Sequence, residues 1–333
     1  MTTTPLRVSF RAVLALSRYA RFAWAVLAYN VAASAWGTYV RASGSGAGCG
    51  EHWPLCQGVL IPRSPTMETL VELTHRSTAG IATILVLTLI VWAYRAYPAG
   101  HPVRAGATVS MGFIVVEALL GAGLVLMGLV KDDASPARAV AMGLHLVSTF
   151  FLLAALTVTA SAATNESARP RLRAGLAWAL AAPFAMLLLA AVTGAIAALG
   201  DTLFHATSLA QGMAQDTSST AHMFVRLRSL HPLFAGLAAV AVLAATTVVT
   251  TMRVSPRVAR AARLVRLAVV AQVTAGVVNL LLLAPIAMQI VHLVLADTLW
   301  IALVVLAFEA FEEPARYAAA SLVGACGSPS NTA

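Results

Sequence analysis

Apolar stretches about 20 residues long, the length that crosses the hydrocarbon core of a bilayer, recur along the chain. They fall at about 22–40, 70–95, 106–130, 137–162, 174–200, 227–252, 262–284 and 286–310. Barrel strands would be roughly 10 residues long with alternating polarity, and the runs do not alternate. The pattern therefore predicts an all-α polytopic membrane protein with eight transmembrane helices. Composition agrees: 59% of residues are hydrophobic and 11% charged, against about 25% charged in a soluble domain.

A net charge of +9 invites a nucleic-acid reading, which the positions of the charges exclude. Arg7, Arg11, Arg18 and Arg21 precede the first span, Arg95 and Arg104 separate the second and third, and Arg169, Arg171 and Arg173 the fourth and fifth. Arg253, Arg257, Arg260, Arg263 and Arg266 separate the sixth and seventh, and Arg316 follows the eighth. These segments share one side of an eight-span topology, so the positive-inside rule puts both termini in the cytoplasm of a multi-pass cell (plasma or inner) membrane protein. The basic N-terminal stretch lacks a small-residue cleavage site and reads as the lead-in to the first helix. Residues 316–333, rich in Ala, Ser and Gly, read as a disordered cytoplasmic tail.

The chain also resembles itself. His75-Arg-Ser-Thr-Ala-Gly80 and His231-Pro-Leu-Phe-Ala-Gly236 share H-x3-A-G at corresponding spans. Glu117-x3-Gly121 matches Gln272-x3-Gly276, and the segment from His145 matches that from His292. The order and the near-constant spacing point to a tandem duplication: a first four-helix bundle over 1–165 and a second over 166–315. In this topology His75, His145, His231 and His292 each lie within about two turns of an outer helix start, one pair per half.

Imidazole inside a membrane span is costly and usually faces the bundle interior for a purpose. A lone histidine bonded to a neighbouring carbonyl would need no ligand, but four at equivalent positions argue for one. Zinc is disfavoured because no cysteine lies in a span, and a proton relay would call for more carboxylates. Two imidazoles from facing helices suit axial ligation of haem iron. Arg41, Arg76, Arg226 and Arg228 are candidate partners for the propionates. Three residues before His75 stands Glu72, and three before His231 stands Arg228. A carboxylate can take a proton or stabilise positive charge, whereas a guanidinium suits permanent anchoring. The first half thus reads as a reactive site with Glu72 as its catalytic acid, and the second as an electron-holding cofactor site.

The glycine-rich outer loop carries Cys49 and Cys56. Outside the cytoplasm these can form a structural disulfide or serve as a dithiol exchanging electrons with a partner; Cys326 in the tail reads as incidental. His52, His101, His205 and His222 read as solvated loop residues. Glu117 and Asp297 read as helix-to-helix hydrogen-bonding groups without an assigned role.

Taken in order, "YVRASGSGAGC", "WPLCQG", "ELTHRSTAG", "LHPLFAG" and "QIVHL" resemble the haem A synthase family across about residues 20–310. The resemblance implies two similar four-helix bundles that oxidise the C8 methyl of haem O to a formyl group, giving haem A for cytochrome c oxidase assembly. It implies His75 and His145 at the substrate-haem site, His231 and His292 as axial ligands of a haem b cofactor, Glu72 in catalysis and a Cys49–Cys56 disulfide. It further implies haem O delivered by the farnesyltransferase that makes it, and an electron acceptor that the sequence leaves unnamed. Many members carry an aspartate before the Trp-Pro, where His52 stands here. The alternative is a di-haem cytochrome b-type electron carrier or quinol-oxidising subunit, which would not explain the Glu72–Arg228 asymmetry.

Overall fold

The computed structural model describes residues 16–165, 173–253 and 255–312. The expected tail, Arg7, Arg11, Arg169, Arg171, Arg316 and Cys326 lie outside them. The described residues form an all-helical protein: α1 (Arg18–Ala42), α2 (Met67–Ala96), α3 (Pro102–Leu126), α4 (Pro136–Thr164), α5 (Ala174–Leu203), α6 (Leu209–Thr217), α7 (Met223–Arg228), α8 (Leu230–Met252), α9 (Pro256–Leu281) and α10 (Ile286–Phe311), with a single 3-10 turn at Ser45–Ala47.

Capping chemistry sets the helix starts. Thr66, Ser135 and Ser255 each accept a backbone N–H with the side-chain oxygen, satisfying one of the free donors of the first turn. Proline follows the cap at Pro102, Pro136 and Pro256, where its missing N–H costs nothing. Hence α3 and α9 begin at 102 and 256, a turn or more before the apolar runs that announced them. His101, expected as a solvated residue, is instead buried: its Nδ1 accepts from Val103 N–H at 3.2 Å and its ring lies 4.6 Å from that of Tyr97. Ser229, itself in helical conformation, separates α7 from α8 within the sixth apolar run.

Among the described residues, seven helical stretches are long and apolar enough to cross a membrane: α2, α3, α4, α5, α7 with α8, α9 and α10. Leucine, isoleucine and valine side chains on their outer surfaces are exposed, as at Ile81, Ile84, Leu87 and Val91 of α2 and Val240 and Leu243 of α8. The protein is a multi-pass membrane protein. At 25 residues, α1 extends about 37 Å at 1.5 Å per residue. Its Trp, Tyr, Asn, Ser and Thr side chains make it less apolar than the others.

Helices α1, α2, α3 and α4 pack each on the next, and α4 returns to α1. Helix α5 packs on α8, α8 on α9 and α9 on α10, which also touches α5. Between these sets α4 meets α5 and α10, and α1 meets α10. Pro183 stands inside α5, yet the helix continues through it. One apolar core lies among α1–α4 and draws in Trp300, Val304 and Phe308 of α10; another joins α5, α8, α9 and α10.

Trp300 links the two cores. Its Nε1–H donates to the Phe150 carbonyl at 2.7 Å, and its ring stacks on Phe150 and meets Phe184 edge-on, at centroid distances of 5.0 and 5.1 Å. Truncating a buried aromatic costs about 3–5 kcal/mol, and here a hydrogen bond to the helix backbone is lost as well. Trp300→Ala is therefore expected to lower the thermal unfolding midpoint in detergent markedly. Trp178→Ala, at a 79% exposed site, leaves it unchanged.

Candidate histidine site at one end of the bundle

Each of the four histidines sits near a helix start and meets a neighbouring helix, three of them at a glycine. A Cβ added at Gly37 of α1 would lie 3.0 Å from Cε1 of His75 in α2. One at Gly194 of α5 would lie 2.9 Å from Cε1 of His231 in α8, and one at Gly276 of α9 would lie 3.0 Å from Cε1 of His292 in α10. Only glycine leaves room for an imidazole this close to a helix backbone.

The second pair faces itself: the His231 and His292 ring centroids are 6.1 Å apart, the planes nearly perpendicular at 84°. His231 Nδ1 is 3.1 Å from the Ala190 carbonyl and 3.5 Å from Thr193 Oγ1. Donation from Nδ1 to a carbonyl leaves the lone pair on Nε2, the arrangement typical of metal-binding histidines. The Gln272 amide nitrogen lies 3.4 Å from His292 Nε2. In the first half, His145 Nδ1 is 3.2 Å from Glu117 Oε2, which also accepts from Thr149 Oγ1 at 2.9 Å. Glu117 thus makes the helix-to-helix bond expected of it, to Thr149, and also lies beside His145. Only its spacing in the repeat, opposite Gln272, hinted at this. Asp297 is fully buried, and neither of its oxygens has a hydrogen-bond partner among the described residues.

Glu72 is 3% exposed and both its oxygens are engaged. Oε2 accepts from Cys49 N–H at 2.7 Å, and Oε1 accepts from Arg76 Nε and Nη2 at 3.1 and 2.5 Å. Arg76 Nη1 donates to the His52 and Leu55 carbonyls, both at 2.6 Å. Cys49 and Cys56 are paired and buried, with Cα atoms 4.5 Å apart. Gly48 rests on the first turn of α2 so closely that any Cβ would collide with the Glu68 and Thr69 backbone. Glu72 and Arg76 therefore bind the cysteine-bearing segment onto the helix that carries His75.

The candidate arginines part company. Arg228 Nε donates to Asp216 at 2.5 Å and Nη1 to Asp201 at 3.1 Å, while Nη2 reaches the Gly212 carbonyl and Gln215. Its donors thus hold α6 and α5 together, where an open seat for a propionate was expected. Arg41 spans α1, α5 and α10 through the Ala198 carbonyl, Thr202 and Gln289. Arg76 serves Glu72, and Arg226 is exposed. Of the remaining loop histidines, His52 and His205 are exposed. His222 caps α7 by accepting from Phe224 N–H at 3.3 Å and stacks on Phe204.

A helical membrane bundle with paired histidines at one end and a cysteine-bearing segment docked beside them defines the class. A family model described as cytochrome oxidase assembly protein, COX15-CtaA, matches residues 20–304. The chain belongs to that family. It is 45% identical over 303 residues to a protein named protoheme IX farnesyltransferase in Thermus thermophilus, covering 91% of this chain and 50% of that protein; the homologue in a second strain of the same organism gives the same figures. The chain thus spans about half the length of these curated relatives. Heme A synthase of Shouchella clausii is 42% identical over 92 residues, 28% of this chain and 31% of that protein.

The Glu72 contacts carry a direct prediction. Glu72→Ala removes the acceptor of the Cys49 amide and strands the Arg76 guanidinium. Amide hydrogen exchange across residues 47–57 is expected to rise at least tenfold while α9 and α10 keep their protection. Unchanged protection at 47–57 would show that the segment is held by other contacts.

Proposed function

We propose that the protein is a haem A synthase-like membrane oxidoreductase that converts the C8 methyl of haem O to the formyl group of haem A, for cytochrome c oxidase assembly. On this reading eight helices, α1 included, form two tandem four-helix bundles with both termini cytoplasmic and the histidines towards the outer face. His75 and His145 hold the substrate haem, and His231 and His292 hold a haem b. The carrying observation is the facing pair in α8 and α10. Two metal–imidazole bonds of about 2 Å each, with the ring radii added, separate centroids by roughly 6 Å, which matches the 6.1 Å found. The glycine cradles at His75, His231 and His292 give the imidazoles room to serve as ligands. Membership of the cytochrome oxidase assembly family and the partial likeness to a protein named heme A synthase supply the substrate class.

In net terms the methyl loses four electrons and four protons as one oxygen is added from water, through an alcohol and a hydrated aldehyde that dehydrates. Glu72, beside His75, takes up a proton or stabilises positive charge developing on the substrate. His231 and His292 would hold a haem b, which would supply one-electron redox chemistry when bound. Cys49 and Cys56 form a disulfide that stiffens the outer segment over the first site. Arg226, exposed and close to α8, remains the freest of the four arginines for a propionate. The likeness to proteins named protoheme IX farnesyltransferase favours haem O as substrate, supplied by a prenyl-transferring partner. The chain covers only half of those relatives, so prenyl transfer is not assigned to it.

Expressing the chain with and without haem O, then extracting and weighing its pigments, tests the reaction. A formyl-bearing haem is expected only when haem O is supplied; its absence would leave the di-haem electron carrier as the better reading. Glu72→Gln keeps an acceptor for the Cys49 amide while removing the charge, and is expected to cut haem A formation by about 10²-fold or more with the fold intact. Gly194→Ala, whose new methyl drives into His231, is expected to lower the retained haem b measured by pyridine haemochrome, with the first site still filled.

A further inference from the structure

We infer that Glu117 is a positioning residue for His145, backing the first-site imidazole with a carboxylate where the second site has only an amide, and so giving the two sites different electron affinities. The inference rests on the haem-binding reading above. Glu117 and His145 stand on α3 and α4, which pack against each other. Glu117 Oε2 is 3.2 Å from His145 Nδ1 and accepts from Thr149 Oγ1 at 2.9 Å. Thr149 lies one turn beyond His145 and also donates to its carbonyl at 3.0 Å. The carboxylate is therefore held against the ring by the same helix that carries the ring.

A carboxylate behind Nδ1 fixes the proton there, aims the Nε2 lone pair away from Glu117 and pushes electron density into the ring. The corresponding position on α9 is Gln272, whose amide nitrogen contacts Nε2 of His292 at 3.4 Å. Nδ1 of neither His145 nor His292 makes a well-aligned hydrogen bond among the described residues, so Glu117 acts on the His145 ring as a charge 3.2 Å away, which the amide beside His292 cannot match. A neutral amide adds no charge to its ring. Richer axial donation favours the ferric state, since axial ligation and hydrogen bonding around it are the protein's levers on haem potential. The first site should hold electrons less tightly than the second, so electrons removed at the first site run downhill towards the second.

The test uses the full chain reconstituted with haem b at both sites and titrated by Soret absorbance against applied potential. Wild type is expected to titrate in two steps. Glu117→Gln moves the lower step to higher potential and leaves the upper one in place. Glu117→Asp restores most of the separation, and Thr149→Val produces a smaller shift in the same direction as Glu117→Gln. A helix-packing role alone would lower thermal stability without moving either step. An unmoved lower step in Glu117→Gln with both haems retained, or a single wild-type step, overturns the inference. Should Glu117→Gln not accumulate, Thr149→Val decides by the same criterion. His145→Ala separates the two readings: full haem retention there sinks the ligand assignment itself, whereas loss of one haem beside an unmoved Glu117→Gln sinks only the positioning role.

Discussion

An imidazole inside an apolar bundle needs both room and a partner, and the histidine end of this protein is arranged around that demand. Leaving the ring's N–H or lone pair without a partner costs on the order of 1–3 kcal/mol, while the ring is too large to slip between helices that already touch. The room comes from glycine: Gly37 faces His75, Gly194 faces His231 and Gly276 faces His292. The first two glycines precede their histidines by 38 and 37 residues, so the same helix pairing is made twice at the same register. Where the backbone gives way to a ring, the surrounding helices are fixed in both depth and rotation. The apolar packing around Trp300 then closes the bundle beyond the rings.

Charge at the residue three before the first histidine of each half follows one logic with opposite signs. Glu72 receives the Cys49 amide and Arg76, and so clamps the 43–66 segment to α2. Arg228 donates to Asp201 and Asp216, and so clamps α6 to α5 beside the start of α8. An i,i+3 residue shares its histidine's helical face, which puts each clamp next to the ring it accompanies. Both clamps are largely shielded from solvent, where hydrogen-bonded ion pairs are stronger than at an exposed surface.

Much of this was legible in the sequence because membrane helices announce themselves by uninterrupted apolar length, and because the four histidines recur in matching contexts. What was missed is short-range geometry. The early starts of α3 and α9 come from Ser, His and Pro caps that lie outside the apolar runs. The roles of His101 and His222 as caps depend on which backbone N–H groups lack partners. Arg228 looked free because Asp201 and Asp216 are 27 and 12 residues away in the chain, and a helix such as α6 between them leaves no hydropathy signal. Glu117 was placed in the right span, but its contact with His145 depends on rotation about the α3–α4 interface, which composition does not fix.

The matching histidine segments of the sequence differ sharply at two polar positions. Glycine and histidine, which decide whether a ring fits, are kept at matching places; Glu72 opposes Arg228, and Glu117 opposes Gln272. Swapping a carboxylate for a guanidinium or an amide leaves the helix pairing intact because neither position forms part of the apolar cores. It changes the charge beside the rings and, at Glu72 and Arg228, the segment that each residue clamps. If one half is to be oxidised while the other accepts electrons, a difference in charge within hydrogen-bond reach of the ligands is the least disruptive way to create the gradient. In a low-dielectric interior one nearby charge outweighs many distant contacts.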